Sequence, residues 1–209
     1  MLKSIIIQMI IRKKDTSAII LLSLLFLIFG ISNSIAQTGT YQKTDKLGAT
    51  CTISIEIKGK KVSADVFAWW NTPSGRHGVF SGEGVLKGQA AVLTSSDGTG
   101  CHVKLNFKPG KLDVAFTDCM EENLPEDFSG TLVKITDITP GEYIVKSEKS
   151  FFYSSPNIHH RKKSYLLKNN RVNIDIENIS SDEWIFINYT DPSGKTTSGY
   201  FRLEDLNRK

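Results

Sequence analysis

Three cysteines are the residues best suited to covalent chemistry in this 209-residue sequence. Cys101 begins one segment of alternating apolar residues and Cys119 ends the next, with the Pro109-Gly110 turn midway between them. Such a hairpin brings its two ends together, so we predict a Cys101–Cys119 disulfide. For a loop of this length the chain-entropy contribution to stability is about 3 kcal/mol.

The third cysteine, Cys51, shares one strand face with Ile53, Ile55 and Ile57. This pattern favours a buried and chemically quiet thiol. A reactive thiol, an intermolecular bridge and a Cys51–Cys101 pairing remain open alternatives. A nucleophilic cysteine would also need a base beside it.

Histidine and carboxylate residues show no spacing typical of a metal or acid–base site. His159 and His160 are adjacent, so on a strand they point to opposite sides and make a poor metal pair. The acidic residues between positions 118 and 127 are typical of a solvated loop rather than of paired catalytic carboxylates. We therefore predict no catalytic residue, no metal site, no cofactor and no enzymatic activity.

Aromatic residues are stronger candidates for function. Trp69 and Trp70 are neighbours on a predicted strand, so one ring faces the core and the other faces outward. We take Trp69 as a candidate contact for a glycan or peptide; the alternative is that the outer ring packs beneath another domain. In the last third of the chain, aromatic rings lie near a predicted basic loop tip. The candidate ligand-binding residues there are Tyr153, Arg161, Lys162, Trp184 and Tyr200.

The chain after residue 36 alternates apolar and polar residues in short segments separated by Gly, Pro and Asn, and it has no long segment of helical period. We predict an all-β protein. Residues 37–135 form an antiparallel meander that closes into a barrel or a sandwich. Residues 136–141 form a linker, and residues 142–209 form a second small β domain. A short linker implies that the two domains touch, and their junction is a plausible binding cleft.

Five short strands in residues 142–209 predict a small, strongly bent barrel. The residues that carry a family resemblance are Ser154-Ser155-Pro156, Leu167-Lys168-Asn169-Asn170-Arg171-Val172, Glu183-Trp184-Ile185-Phe186-Ile187, and Gly199-Tyr200-Phe201 before Leu206. This pattern resembles the bacterial SH3 (SH3b) family. Asn170 stands where that family usually has Gly, and Tyr200 where it often has Trp. The resemblance implies a module that binds cell-wall peptides or proteins, without catalysis.

Residues 1–36 have the features of a secretory signal peptide. A positive segment at residues 12–14 precedes an apolar run over residues 18–31, and small residues at Ser34 and Ala36 predict cleavage before Gln37. Four of the 26 basic and one of the 22 acidic residues lie in this segment, so the remaining chain has 22 against 21 and a net charge of +1. We therefore predict a periplasmic or secreted protein, with no nucleic-acid partner and no membrane association after cleavage.

Taken together, these features predict an exported, non-catalytic binding protein whose SH3-like domain recognises a peptide or a cell-wall component. The expected partners are a peptide, a cell-wall fragment or an envelope protein. The alternative is a periplasmic inhibitor or immunity protein that acts against a cell-wall hydrolase. A wall-acting enzyme would need Cys51, a histidine and an acid gathered in one open cleft.

Overall fold

The computed structural model describes residues 37–180 and 183–209, so the predicted signal peptide lies outside the described residues. The described chain is all-β, as predicted, and within it no helix reaches seven residues. None of the helical turns in this part of the chain has the length and apolar character needed to cross a membrane.

Eight strands form the first part of the fold. They are β1 (Gly39–Thr44), β2 (Thr50–Lys58), β3 (Lys61–Trp69), β4 (His77–Val85), β5 (Ala90–Ser95), β6 (His102–Lys108), β7 (Lys111–Thr117) and β8 (Gly130–Thr136). Each strand pairs antiparallel with the next, and β1 also pairs with β8, so the meander closes into a barrel rather than a sandwich. Closure leaves the barrel without sheet edges.

The barrel core follows from the two-residue alternation of its strands. Along β3 the buried residues Val62, Ala64, Val66 and Ala68 alternate with more exposed ones. Successive side chains of a strand point to opposite faces, so one set of each strand faces inward. The inward side chains, including the fully buried Phe107, form one continuous hydrophobic cluster.

Seven shorter strands follow the barrel. They are β9 (Gly141–Val145), β10 (Lys149–Tyr153), β11 (Arg161–Leu167), β12 (Arg171–Ile174), β13 (Trp184–Thr190), β14 (Thr196–Arg202) and β15 (Leu206–Arg208). They form a four-stranded sheet in the order β11-β10-β14-β13 and a three-stranded sheet in the order β12-β9-β15. These are two more strands than the five expected from the sequence.

The two small sheets share a second hydrophobic cluster. Val145 and Val172 come from the three-stranded sheet, and Phe152, Ile185 and Phe201 come from the four-stranded sheet. Each of these residues alternates with a more exposed neighbour, so each small sheet has one buried face.

Two boundaries in this region differ from the prediction. The segment from Arg161 to Lys163 was expected in a loop tip, but it begins β11, and the 3-10 turn Ile158–His160 precedes it. Because these β11 residues are exposed, their sequence lacks the apolar alternation that marks a half-buried strand. The alternation of Val172, Ile174 and Ile176 with polar residues predicts one continuous strand, but β12 ends at Ile174 and Ile176 begins a 3-10 turn.

The barrel and the small sheets contact each other directly within one compact unit that spans Gln37–Lys209. The hydroxyl of Thr40 donates to the carbonyl oxygen of Ile138 at 2.6 Å. Arg208 of β15 donates to both carboxylate oxygens of Glu56 on β2, at 3.1 and 3.0 Å. These polar contacts hold the two parts against each other.

Candidate functional site

The disulfide prediction is confirmed. Cys101 and Cys119 are bonded, and their Cα atoms lie 4.4 Å apart. The bond closes the open end of the β6–β7 hairpin, where His102 pairs with Thr117. This pairing excludes the alternative Cys51–Cys101 bridge.

Cys51 is the free cysteine, and its inward position on β2 leaves it 0% exposed. Burial raises the pKa of its thiol to about 12, and nearby Lys43 opposes the shift only in part. The nucleophilic form of cysteine is the thiolate, so Cys51 is chemically quiet, as expected. The candidate cysteine nucleophile of a wall-acting enzyme is therefore absent from any open cleft.

A group of potential metal ligands surrounds the disulfide. One ligand atom each from Cys101, Cys119 and Glu122 lies within 4.8 Å of the other two. Both sulfur atoms are already bonded to each other, so this group offers no thiolate to a metal ion. Its role is structural.

The tryptophan pair on the barrel divides as the sequence predicts, with one ring inward and one outward. Trp70 packs edge-on against Phe128 at 5.1 Å, and the Arg76 guanidinium lies 4.6 Å from the Trp70 ring centre. Trp69 is 41% exposed on the outer side of β3. The Trp69 ring is thus not covered by the small sheets that follow the barrel.

The outward side of the four-stranded sheet gathers six aromatic rings, and we call this surface the ring face. Buried Phe152, Ile185 and Phe201 point into the core. Their immediate neighbours along the strands therefore point outward. The ring face carries Phe151, Tyr153, Tyr165, Trp184, Phe186 and Tyr200.

These rings form three edge-to-face pairs. Tyr153 meets Trp184 at 4.7 Å and Phe186 meets Tyr200 at 5.4 Å between ring centres. The third pair, Phe151 and Tyr165, lies at 5.8 Å. The register aligns the pairs, because Tyr200 lies opposite both Tyr153 and Phe186. Edge-to-face packing fixes the ring orientations and contributes about 0.5–1.5 kcal/mol per pair beyond area burial.

Burial differs between the two sides of the ring face. Tyr153 is only 7% exposed, so its ring supports Trp184 rather than offering a face of its own. Tyr165 on β11 is 44% exposed, while Phe186 and Tyr200 are half-buried. A ligand on this surface would therefore meet the half-buried and exposed rings.

Basic side chains lie over these rings. The Lys149 ammonium lies 3.7 Å from the Tyr165 ring centre and 5.2 Å from that of Phe151. The Arg161 guanidinium lies 4.5 Å from the Phe151 ring centre. We call these four residues the basic end of the ring face. Cation–π attraction at such distances contributes about 0.5–1 kcal/mol at exposed sites.

The other end of the ring face is electrically balanced. Arg202 lies 5.9 Å from the Trp184 ring centre, and it forms an ion pair with Glu204 at 2.6 Å. Within residues 37–180 and 183–209, by contrast, no carboxylate forms an ion pair with Lys149 or Arg161. We call Trp184, Phe186 and Tyr200 with the Arg202–Glu204 pair the neutral end.

Lys162 has a different role from its neighbour Arg161. Its ammonium group donates to the carbonyl oxygen of Ser198 on β14 at 2.7 Å. In the register between β10 and β14, Tyr153 pairs with Tyr200. The Lys162 bond joins β11 to β14 close to this pair. Lys162 therefore stabilises the sheet next to the ring face.

The structure brings together four of the six predicted ligand-binding residues, and it adds others. Tyr153, Arg161, Trp184 and Tyr200 share the ring face, Lys162 borders it, and Trp69 lies on the barrel. The members that sequence reasoning missed are Lys149, Phe151, Tyr165, Phe186 and Arg202. Their positions in the sequence could have identified them. Each lies an even number of residues from a predicted ring-face residue on the same strand, or pairs directly opposite one, and therefore points to the same side of the sheet.

A cleft lies where the barrel meets the small sheets. This cleft of about 420 Å³ is lined by Asp65, Val79 and Ser81 from the barrel and by Asn173 and Asp175 from the other side. The Ser81 hydroxyl donates to Asp65 at 2.7 Å, and the Asn173 amide donates to Asp175 at 2.8 Å. The cleft is at the junction that the sequence pointed to.

A third feature is the loop of residues 118–124, which follows β7 and contains the disulfide residue Cys119. The loop packs closely on β4, since a Cβ at Gly78 would lie 2.3 Å from the Asn123 carbonyl oxygen. The Val79 amide also donates to the Glu122 carbonyl oxygen at 3.1 Å. Met120 is nevertheless 69% exposed at its outer side. The loop is therefore acidic, its backbone is fixed by its contacts with β4, and it exposes the apolar side chain of Met120.

Comparison with protein-family profiles, with curated proteins and with solved structures finds no match to this chain. The functional argument therefore rests on the residues and surfaces described above.

Proposed function

We propose that this chain is an exported, non-catalytic binding protein whose C-terminal region, an SH3-like domain, recognises a peptide or a cell-wall component. The observation that carries the proposal is the ring face, where six aromatic side chains share one side of the four-stranded sheet. Clustered Trp and Tyr residues at a surface are typical of binding hot spots.

The ring face is suited to recognition because its rings are already fixed. Trp184 packs on Tyr153, and Phe186 packs on Tyr200. A ligand that binds to such a surface immobilises few side chains, which lowers the entropic cost of association. Planar rings suit both the apolar face of a sugar and the side chains of an extended peptide.

Two further observations support the wider proposal. The Cys101–Cys119 disulfide suits an oxidising compartment such as the periplasm or the extracellular space. Short strands in two small sheets and a ring face that includes Trp184 and Tyr200 fit the SH3b resemblance of residues 142–209. That family resemblance implies a ligand from the cell wall or an envelope protein.

The test is a binding assay with the chain from Gln37, using purified peptidoglycan and a panel of acidic, basic and neutral peptides. Phe186→Ala and Tyr200→Ala should each weaken binding about tenfold or more, because hot-spot truncations cost about 2 kcal/mol. Val92→Ala, an exposed apolar truncation on the barrel, is the matched control and should leave binding unchanged. Absence of binding to every probe would refute the proposal.

Trp69 decides whether the barrel shares the ligand. If Trp69→Ala weakens binding as strongly as Tyr200→Ala, the ligand reaches the outer side of β3 as well. If only the ring-face variants lose affinity, recognition belongs to the C-terminal sheets. Trp69 is exposed, so its replacement tests contact rather than folding.

A second candidate function, inhibition of a cell-wall hydrolase, is favoured by the loop of residues 118–124. Inhibitory loops need a fixed backbone, and this one is held by the disulfide and by packing on Gly78. Its acidic residues would complement a cationic hydrolase such as lysozyme. Glu121→Lys with Met120→Ala should abolish inhibition of lysozyme, and lack of inhibition by the unmodified chain would exclude this candidate.

A further inference from the structure

We infer that the ligand of the ring face is an acidic peptide in extended conformation, which adds as a strand to the free edge of β11 and places carboxylates at Lys149 and Arg161. This inference rests on the proposed function and specifies the class of its ligand. The two arguments for it are the charge of the basic end and the position of β11 in its sheet.

The first argument is the lack of counter-charge at the basic end. Lys149 and Arg161 lie over the rings of Tyr165 and Phe151, and aromatic faces attract cations but carry no net negative charge. Within the part of the chain that the structure describes, their cationic groups form no ion pair. Two cations that lie over the same Phe151 ring without a paired carboxylate favour an anionic ligand.

The contrast within the ring face shows which end of the surface suits an acidic ligand. Arg202 at the neutral end is already paired with Glu204, so that end does not need a ligand carboxylate. The neutral end offers Phe186 and Tyr200, which suit apolar or aromatic side chains. The ligand should therefore carry its acidic residues at the basic end, next to β11.

The second argument distinguishes a peptide from an acidic glycan. β11 is the terminal strand of the four-stranded sheet, and among the described residues its one strand partner is β10. Alternate residues of such a strand direct their N–H and C=O groups away from the sheet. An extended peptide satisfies these groups with the repeat of a strand, whereas a polysaccharide has no matching series of donors and acceptors.

The opposite edge of the sheet is less available. β13 lies against β12 and the 3-10 turn Ile176–Asn178. In β11, by contrast, five of the seven residues are exposed. Its Arg161, Lys162 and Lys163 would repel a second copy of the same strand and attract an acidic one.

The geometry of an added strand predicts a ligand pattern. Residues that point to the same side of a strand recur about every 6.8 Å, which is two residues. An acidic side chain at every second position would thus lie along the ring-face side next to Arg161 and Tyr165. The intervening side chains would point to the other side of the sheet.

The experiment uses the chain from Gln37 and three probes: an alternating Glu-Thr peptide, the same peptide with every second backbone nitrogen methylated, and polygalacturonate. The methylated peptide keeps the charge but loses hydrogen-bond donors, and polygalacturonate keeps carboxylates without a peptide backbone. We expect calorimetry to detect binding of the unmodified peptide, and affinities about tenfold or more weaker for the other two.

Paired variants test the basic end. Lys149→Gln with Arg161→Gln should weaken binding of the Glu-Thr peptide about tenfold or more and reduce its salt dependence. Lys87→Gln with Lys104→Gln removes the same charge from exposed barrel positions and should leave the affinity within about twofold. Equal losses in both double variants would show a general charge effect and overturn the inference.

The outcomes separate this inference from the proposed function. Equal binding of the methylated peptide or of polygalacturonate would overturn strand addition. Binding of a neutral peptide or of peptidoglycan that depends on Phe186, without binding of the Glu-Thr peptide, would overturn the acidic ligand and leave the proposed function standing. Absence of binding to any probe would overturn both.

Discussion

The barrel and the C-terminal sheets differ in how they treat the hydrogen-bonding groups at the edges of their strands. The barrel pairs β1 with β8, so each of its eight strands has two neighbours. The C-terminal region instead leaves β11 hydrogen-bonded on one side and gathers aromatic rings on its outward face. Closure satisfies the backbone, whereas an open sheet retains main-chain groups and side-chain surface for another molecule.

The two regions also differ in how their charges are used. The polar contacts at the junction are satisfied, since Arg208 and Lys58 both bind Glu56. At the basic end of the ring face, Lys149 and Arg161 lie over rings instead. Under the proposed function, the barrel is a stable support and the C-terminal sheets carry the recognition surface.

The largest expected effect comes from removing a core ring of the barrel. Phe107→Ala should lower the free energy of unfolding by about 3–5 kcal/mol, because the fully buried ring would leave a cavity. The matched variant Phe201→Ala removes an equally buried ring from the second cluster. Urea unfolding followed by tryptophan fluorescence measures both.

This pair of variants also tests how closely the two regions are coupled. Because residues 37–209 form one compact unit, we expect a single transition in both variants. Two separate transitions in Phe201→Ala, with only the first shifted, would show that the barrel unfolds independently. A loss below about 1 kcal/mol for Phe107→Ala would contradict the packed barrel core.

Removal of the disulfide should have the next largest effect. Cys101→Ala with Cys119→Ala should lower the free energy of unfolding by about 3 kcal/mol, since the unfolded chain gains the freedom of the opened loop. Thermal unfolding of oxidised protein and of the double variant measures the difference. Peptide binding at the ring face should persist in the folded variant, and its loss would show that the barrel loop shapes that surface.

A smaller effect is expected at the junction. Although burial opposes the shift, hydrogen bonds from Lys58 and Arg208 lower the pKa of Glu56 below its ordinary value of 4.5. Its stabilising contribution is therefore complete above that ordinary value and is lost as the pH falls through the lowered pKa. Glu56→Gln should cost about 0.5–1 kcal/mol at neutral pH, as expected for a partly exposed ion pair.

Unfolding measured across a pH series tests this prediction. The difference between the native chain and Glu56→Gln should shrink as the medium becomes more acidic than the lowered pKa. Glu83→Gln is the control, because Glu83 forms its ion pair with the exposed Lys61 on the barrel surface. A pH-independent cost for Glu56→Gln would point to packing rather than charge.

The smallest expected effect is the labelling of Cys51. A thiol reagent at neutral pH should not modify the native chain, because Cys51 is enclosed and burial raises its thiol pKa to about 12. Mass spectrometry should find one modified thiol after unfolding without reduction. Rapid modification of the native protein would contradict the inward position of Cys51.

Local patterns in the sequence were sufficient for the barrel hairpins. Val103 and Phe107 alternate with polar residues before the turn, and Leu112 and Phe116 do so after it. The observed register pairs Val103 with Phe116 and Phe107 with Leu112. The disulfide prediction followed from the same hairpin, because a turn halfway between two cysteines fixes their approach.

Non-local pairings could not be predicted in this way. β1 was missed because Tyr41 is its only large apolar residue, and its two partners are β2 and β8. The ring face was only partly predicted for a similar reason. Individual rings were recognised, but their shared surface depends on the pairing of Tyr153 with Tyr200, which no local pattern encodes.

The barrel seam has a consequence for the order of events during biogenesis. Thr40 lies opposite Thr136, so the first strand acquires its second neighbour only after nearly one hundred further residues have emerged. Until β8 has emerged, one edge of β1 has no strand partner, although β2 can already pair with β3. A chaperone that shields this edge would therefore act before β8 pairs with β1.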